Sequence, residues 1–201
     1  LEDSLQQLVA EIAAQFEVPL KTSNAQAQFR ELVLALGKNE KIVILIDEYD
    51  KPILGNVTNP EIDEILKELK GFFSVVKATE PYQRFVLLTG VSKFSHVSVF
   101  SDLNNLTDIT MNEKYATMLG YTQEELEFYF GDRIEQLVEK TGISKEEMLA
   151  GIKRWYNGYR FEENALTVYN PVSLAQFFEN NGKFQNYWFQ TGTPTFLLKL
   201  M

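Results

Sequence analysis

Residues 41–53 read KIVILIDEYDKPI: five branched apolar residues in a row, then Asp47, Glu48 and Asp50 close behind them. The run 42–46 shows no polar alternation. That is how a strand covered on both faces reads, most often one in a parallel sheet. In open α/β sheets, ligands bind outside the carboxyl ends of the strands. Asp47 and Glu48 sit at that end, so the carboxylates invite a chemical reading.

The surroundings of this stretch fix the fold class. Leu1, Leu5, Leu8, Val9, Ile12 and Phe16 recur at helical spacing, which predicts an amphipathic helix over 2–17. A second helix is expected from Ser23 or Asn24 to Gly37, with Phe29, Leu32, Val33 and Leu36 on one face. After Pro60, the residues Ile62, Ile65, Leu66, Leu69, Phe72, Phe73 and Val76 predict a long helix. RFVLLTGVSK (84–93) then predicts a second buried strand with Thr89 and Gly90 at its end. Strand, helix, strand over this distance is a βαβ unit. A short third strand is expected around Leu106–Ile109.

From about residue 113 the texture changes. Thr122 with Glu125 and Ser144 with Glu147 read as capping boxes that open helices. Gly142 is expected to end one helix, Asn157–Gly158 to mark a turn, and Tyr159–Phe161 to pair with Leu166–Tyr169 as a small hairpin. Thr193 with Pro194 opens a last short helix. The reading is therefore an α/β core over 1–112 and a mostly helical, aromatic-rich subdomain over 113–201. No internal repeat or low-complexity segment interrupts it.

Composition bounds the function. Apolar residues make up 45% of the chain, enough for a folded core. No apolar run approaches the ~20 residues that cross a bilayer. The opening residues lack the cationic start and apolar block of a signal peptide. The absence of cysteine excludes disulfides, thiolate zinc sites and cysteine nucleophiles. A cytoplasmic location with no membrane partner fits these features. A formal charge of −9 disfavours nonspecific nucleic-acid binding, which depends on Lys and Arg at phosphates.

Apolar residues followed by Asp–Glu form the Walker B pattern of P-loop nucleotide hydrolases. In that chemistry Asp47 would hold Mg²⁺, mostly through water, and Glu48 would orient and polarise the water attacking the γ-phosphate of ATP. Thr89 ends its strand where such ATPases carry a polar sensor of the γ-phosphate or attacking water. Lys93, four residues on, would face the phosphates. The bland alternatives are that acidic residues merely terminate a strand, that Thr89 bonds locally, and that Asp50 caps a turn before Pro52. Lone His96 reads as a loop residue, since no second His exists to share a metal.

Five segments in order, VILIDEYDKPI, FVLLTGVSKFSHVSVFSDLNNLTDIT, WYNGYRF, VYNPVSLAQFF and YWFQTGTPTFL, resemble the predicted AAA-ATPase-like family from about residue 25 onward. The resemblance implies an additional-strand P-loop fold followed by a helical lid, in many members with a C-terminal PD-(D/E)XK nuclease-like domain. By position, Asp47 and Glu48 match the family's Walker B acids, and Thr89 and Lys93 fall in its TGV-S/T-K segment. Lids of this class commonly present a cation to the γ-phosphate. Arg154, directly before WYNGYRF, and Arg160, within it, are the candidates, and an arginine's planar fork suits phosphate.

The family's phosphate-binding loop has no counterpart: no GxxxxGK[ST] occurs in the 201 residues. With Leu at position 1, the chain reads as the middle of a larger protein, a partial P-loop NTPase sheet with its lid. By itself it is expected to be inactive, while the parent would couple ATP hydrolysis to an attached effector. A second reading is a noncatalytic nucleotide-sensing or protein-interaction module, in which Trp155, Tyr156, Tyr159, Tyr187 and Trp188 contact a protein partner or a second copy. Core packing is the bland account of those aromatics. A third reading makes Asp47, Glu48 and Asp50 a metal-dependent nuclease site, but no E-x-K companion supports it.

Overall fold

A computed structural model describes residues 1–90 and 104–188, in two compact units spanning Leu1–Thr107 and Asp108–Met201. Lys93, His96 and the 193–194 helix start lie outside the described residues.

The first unit is mixed α/β. Helix α1 covers Glu2–Gln15 and α2 covers Ala25–Leu36. The side chain of Asn24 accepts from the Ala27 amide and so starts α2, and Gly37 ends it. Strand β1 (Ile42–Ile46) is followed by a single helical turn, α3 (Lys51–Leu54), and by the long α4 (Ile62–Ala78). Strand β2 (Gln83–Leu88) then pairs parallel to β1, in the register Val43 with Phe85 through Ile46 with Leu88. This is the βαβ unit that the apolar spacing predicts, reduced to two strands among the described residues.

Alternation along the strands decides which face is inside. Ile44 is buried, and Ile42, Ile46, Val86 and Leu88 pack on the same core. Helices α1, α2 and α4 supply most of the rest, with Ile53 from α3, and the rings of Phe29 and Phe72 stack at 4.6 Å. The other face differs from expectation. Val43, Leu45 and Phe85 are 51%, 68% and 52% exposed, so the strand is covered on one face only. Uniform apolarity reported what these side chains prefer, not what covers them. The expected third strand is also absent. Among the described residues, 107–109 join no ladder, and the Asp108 carboxylate accepts from the Thr110 amide, a local bond that competes with strand pairing.

In the second unit, α5 (Gln123–Thr141) and α6 (Lys145–Tyr156) each open with a complete capping box, Thr122 with Glu125 and Ser144 with Glu147. Gly142 ends α5 in the left-handed region at φ 73°, where a Cβ is disfavoured. Strand β3 (Asn157–Tyr159) runs antiparallel to β4 (Val168–Tyr169), and α7 (Pro171–Glu179) follows. The expected turn at Asn157–Gly158 is instead the start of β3. Gly158 at φ 131° lets the strand slip register there and still pair. The core is aromatic: Tyr156, Tyr169, Phe177 and Tyr187 join Leu126, Ile134, Met148, Ile152 and Leu174. Tilted against Phe177 lie the rings of Tyr156 at 5.5 Å and Phe184 at 4.9 Å.

Candidate active site

The parallel pairing of β1 and β2 brings their carboxyl ends together. The ladder runs one step past the strands, with the Thr89 amide donating to Ile46 O (2.9 Å) and the Tyr49 amide to Thr89 O (3.0 Å). Thr89 is thereby fixed beside Asp47. Its hydroxyl donates to Asp47 Oδ1 in a short bond, and the same oxygen accepts from the Glu48 amide at 2.9 Å. This is a bond at the strand end, made to the tip of the neighbouring strand.

Glu48 occupies the left-handed region at φ 51°, a conformation a non-glycine residue rarely adopts. Such a residue persists only where its surroundings enforce it, and these outliers concentrate at functional sites. Its exposed carboxylate pairs with Lys51 Nζ at 2.7 Å. That contact holds the lysine ammonium above its ordinary range, mainly through the hydrogen bond to Glu48.

Asp50 stands at the N-cap of α3, just before Pro52, the place the turn-capping reading gives it. It is fully buried, and its backbone carbonyl, rather than its side chain, starts α3 by accepting from Ile53 and Leu54 at 2.9 Å each. Gly90 lies against it. A Cβ at Gly90 would stand 2.6 Å from the Tyr49 ring and 2.9 Å from Asp50 Oδ1. The sequence offers only one hint of this packing, a glycine directly after the strand-end Thr89.

Asp47, Glu48 and Thr89 thus form one exposed polar corner. Among the described residues no cluster of three or more His, Cys, Asp or Glu forms a self-sufficient metal cage. A single strand-end carboxylate suits Mg²⁺, which keeps most of its waters and is held by one or two carboxylates plus substrate phosphates. Asp47 has one oxygen engaged by Thr89 and Glu48, and no described residue donates to Oδ2.

Residues 1–100 match the family model described as "Predicted AAA-ATPase". The chain belongs to the predicted AAA-ATPase family. A curated relative from Azotobacter chroococcum mcd 1, titled "Uncharacterized protein in vnfD 5'region", is 44% identical over 180 residues. That alignment covers 88% of this chain and 32% of the relative, so the chain spans about a third of the length of the protein it matches. No solved structure matches it. No helix among the described residues of this AAA-ATPase family chain is long and apolar enough to cross a membrane.

The second unit carries the remaining candidates. Arg154 lies in the last turn of α6 and Arg160 directly after β3, both exposed. Arg160 donates to Glu163 O at 3.5 Å. The five aromatics that could have been partner contacts divide. Tyr156 and Tyr187 are buried in the core, whereas Trp155, Tyr159 and Trp188 are 44%, 39% and 42% exposed.

Proposed function

We propose that the strand-tip corner is the metal- and water-positioning part of an ATP-hydrolysis site in the full-length protein. The observation that carries this reading is the bond from Thr89 to Asp47 across two parallel strand ends, with the strained Glu48 beside it. Asp47 would hold Mg²⁺ through its remaining oxygen, and the ion would neutralise charge developing on the transferred phosphoryl group. Thr89 holds the Asp47 carboxylate in place. Glu48 would accept a hydrogen bond from the attacking water once its carboxylate leaves Lys51. Lys93 and Arg160 are the further candidate phosphate ligands.

Two features argue that the site is completed by further chain. No phosphate-cradling GxxxxGK[ST] occurs in these 201 residues. The exposed apolar face of Val43, Leu45 and Phe85 is also what a sheet shows when covering elements are missing. Residues supplied elsewhere in the parent would provide the phosphate loop, and turnover would drive a conformational change in an attached effector, with the second unit acting as lid.

In the full-length protein, Glu48→Gln should retain Mg-ATP binding and lose turnover, because the amide keeps the shape but cannot polarise water. An unchanged kcat would remove Glu48 from the mechanism. Residues 1–201 alone should show no micromolar ATP affinity by calorimetry.

A further inference from the structure

WYNGYRF, VYNPVSLAQFF and the Tyr187–Trp188 pair are distant in sequence and have no part in the strand-tip corner, yet they meet in the second unit. They line a concavity of about 300 Å³ between the last turn of α6, β3 and the first turn of α7. Its floor is rigid. Tyr156 and Tyr187 are 3% and 2% exposed, and each hydroxyl is tied to backbone. The Tyr156 oxygen exchanges bonds with Gln185 N and O at 3.2 Å, and Tyr187 donates to Lys183 O at 2.7 Å.

Its rim is aromatic and open. Trp155, Tyr159 and Trp188 each leave about two-fifths of their surface in water, and the rings of Tyr159 and Trp188 stand 6.2 Å apart at 58°. Flat, exposed rings fixed over a packed floor recognise another flat ring, by stacking or edge contact.

The polar lining has one sign. In a chain of formal charge −9, the lining includes Arg154 and no Asp or Glu. Arg154 has no carboxylate within ion-pair distance among the described residues. Asn170 uses its Oδ1 on the Ser173 amide at 2.8 Å, which leaves its NH₂ group as a donor toward the site. A guanidinium with an amide donor nearby suits a carboxylate or phosphate. The volume is at the small end of ligand pockets, enough for one ring and its anionic group.

We propose that the second unit binds a planar anionic small molecule, an aromatic ring or base bearing a carboxylate or phosphate, with its ring against Trp188 and Tyr159 and its anion on Arg154. This site lies wholly within the second unit and is independent of the strand-tip reading.

The chain's two tryptophans, Trp155 and Trp188, both line the concavity, so tryptophan emission reports on it alone. The 201-residue chain is titrated with benzoate, adenosine monophosphate, inorganic phosphate and benzyl alcohol, and the same series is run on Asp47→Asn, Arg154→Gln and Trp188→Leu. A saturable emission change is expected with benzoate or with the nucleotide, and which one responds identifies the anion. Arg154→Gln should weaken it about tenfold, the worth of one charge-assisted bond. Trp188→Leu should abolish most of it, and Asp47→Asn should leave it unchanged. Arg154→Gln removes an exposed side chain with no ion-pair partner among the described residues, so its urea midpoint should match the parent chain and its result stands even if Trp188→Leu misfolds. The proposal is overturned by no saturable response to either planar anion up to about 10 mM, beyond the affinity range of a formed site. It is equally overturned by curves that Arg154→Gln does not shift, by equal responses to inorganic phosphate or benzyl alcohol, or by a response lost in Asp47→Asn.

Discussion

The Thr89 hydroxyl donates to Oδ1 of Asp47, joining the tips of two parallel strands through a bond between side chains forty-two positions apart. The bond fixes the rotamer of Asp47 and leaves its second oxygen free of described donors, the state in which a carboxylate can hold a hydrated cation. Losing it costs a net ~1 kcal/mol in stability, but misplacing a metal-holding carboxylate has a larger effect on rate. Thr89→Val in the full-length protein should therefore cut kcat for ATP by about tenfold or more and change ATP affinity by only about threefold. Thr89→Ser, which keeps the hydroxyl, should recover most of the rate. Equal kcat values for the Val and Ser variants would detach Thr89 from the reaction.

Gly90 is required for a reason separate from backbone freedom. Its Cα is packed against the Tyr49 ring and the buried Asp50 carboxylate, and a methyl group there would fall 2.6 and 2.9 Å from them. Asp50 is fully buried and cannot retreat into solvent. Gly90→Ala should destabilise the first unit by ~1–3 kcal/mol, the usual cost of overpacking. Urea unfolding followed by circular dichroism checks this. A midpoint within error of the parent would mean that Tyr49 swings aside freely.

What the sequence made legible follows from the range of each interaction. The capping boxes at Thr122 and Ser144 were readable because donor and acceptor are three residues apart, and the structure closes both boxes. The helices and two parallel strands of the first unit were readable from periodicity. Coverage of β1 was not, because Val43 and Leu45 declare their apolarity without naming a partner. The strand expected at Leu106–Ile109 is not formed there, and the Asp108 carboxylate accepts from a local amide. The meeting of Asp47 and Glu48 with Thr89 was expected only as the shared end of two strands. The burial of Asp50 has no signature in spacing.

Burial raises the pKa of the Tyr156, Tyr169 and Tyr187 hydroxyls above their ordinary value of 10.0, with desolvation the leading cause in each. Tyr169 also lies in a relay, bonded to the Asn157 side chain and donating to Gln123 Oε1. Above about pH 10 the unfolded chain releases these protons before the folded chain does, so the unfolded state binds fewer protons and stability falls as pH rises. Below that value the three hydroxyls contribute no slope. The urea midpoint of the second unit should thus be flat from about pH 7 to 9 and decline above about pH 10. Tyr187→Phe should flatten part of the decline. A midpoint that holds steady up to about pH 11 would contradict the burial of these groups.

Gly151 sets two rules against each other. It lies inside α6, where replacing glycine by alanine ordinarily stabilises a helix by ~1 kcal/mol. Its Cβ, however, would sit 2.6 Å from Cζ of Phe184. Phe184 packs against Phe177 at 4.9 Å and against Trp155 at 6.3 Å, so the ring is held from the far side. Overpacking at ~1–3 kcal/mol should outweigh the propensity gain, and Gly151→Ala should lower the urea midpoint. The same substitution in a Phe184→Ala background should raise it, because the obstruction is gone and only the helix gain remains. The sign change between backgrounds is a coupling that two independent effects cannot produce. If Gly151→Ala is stabilising in both backgrounds, Phe184 yields at little cost and the aromatic floor of the second unit is softer than its packing implies.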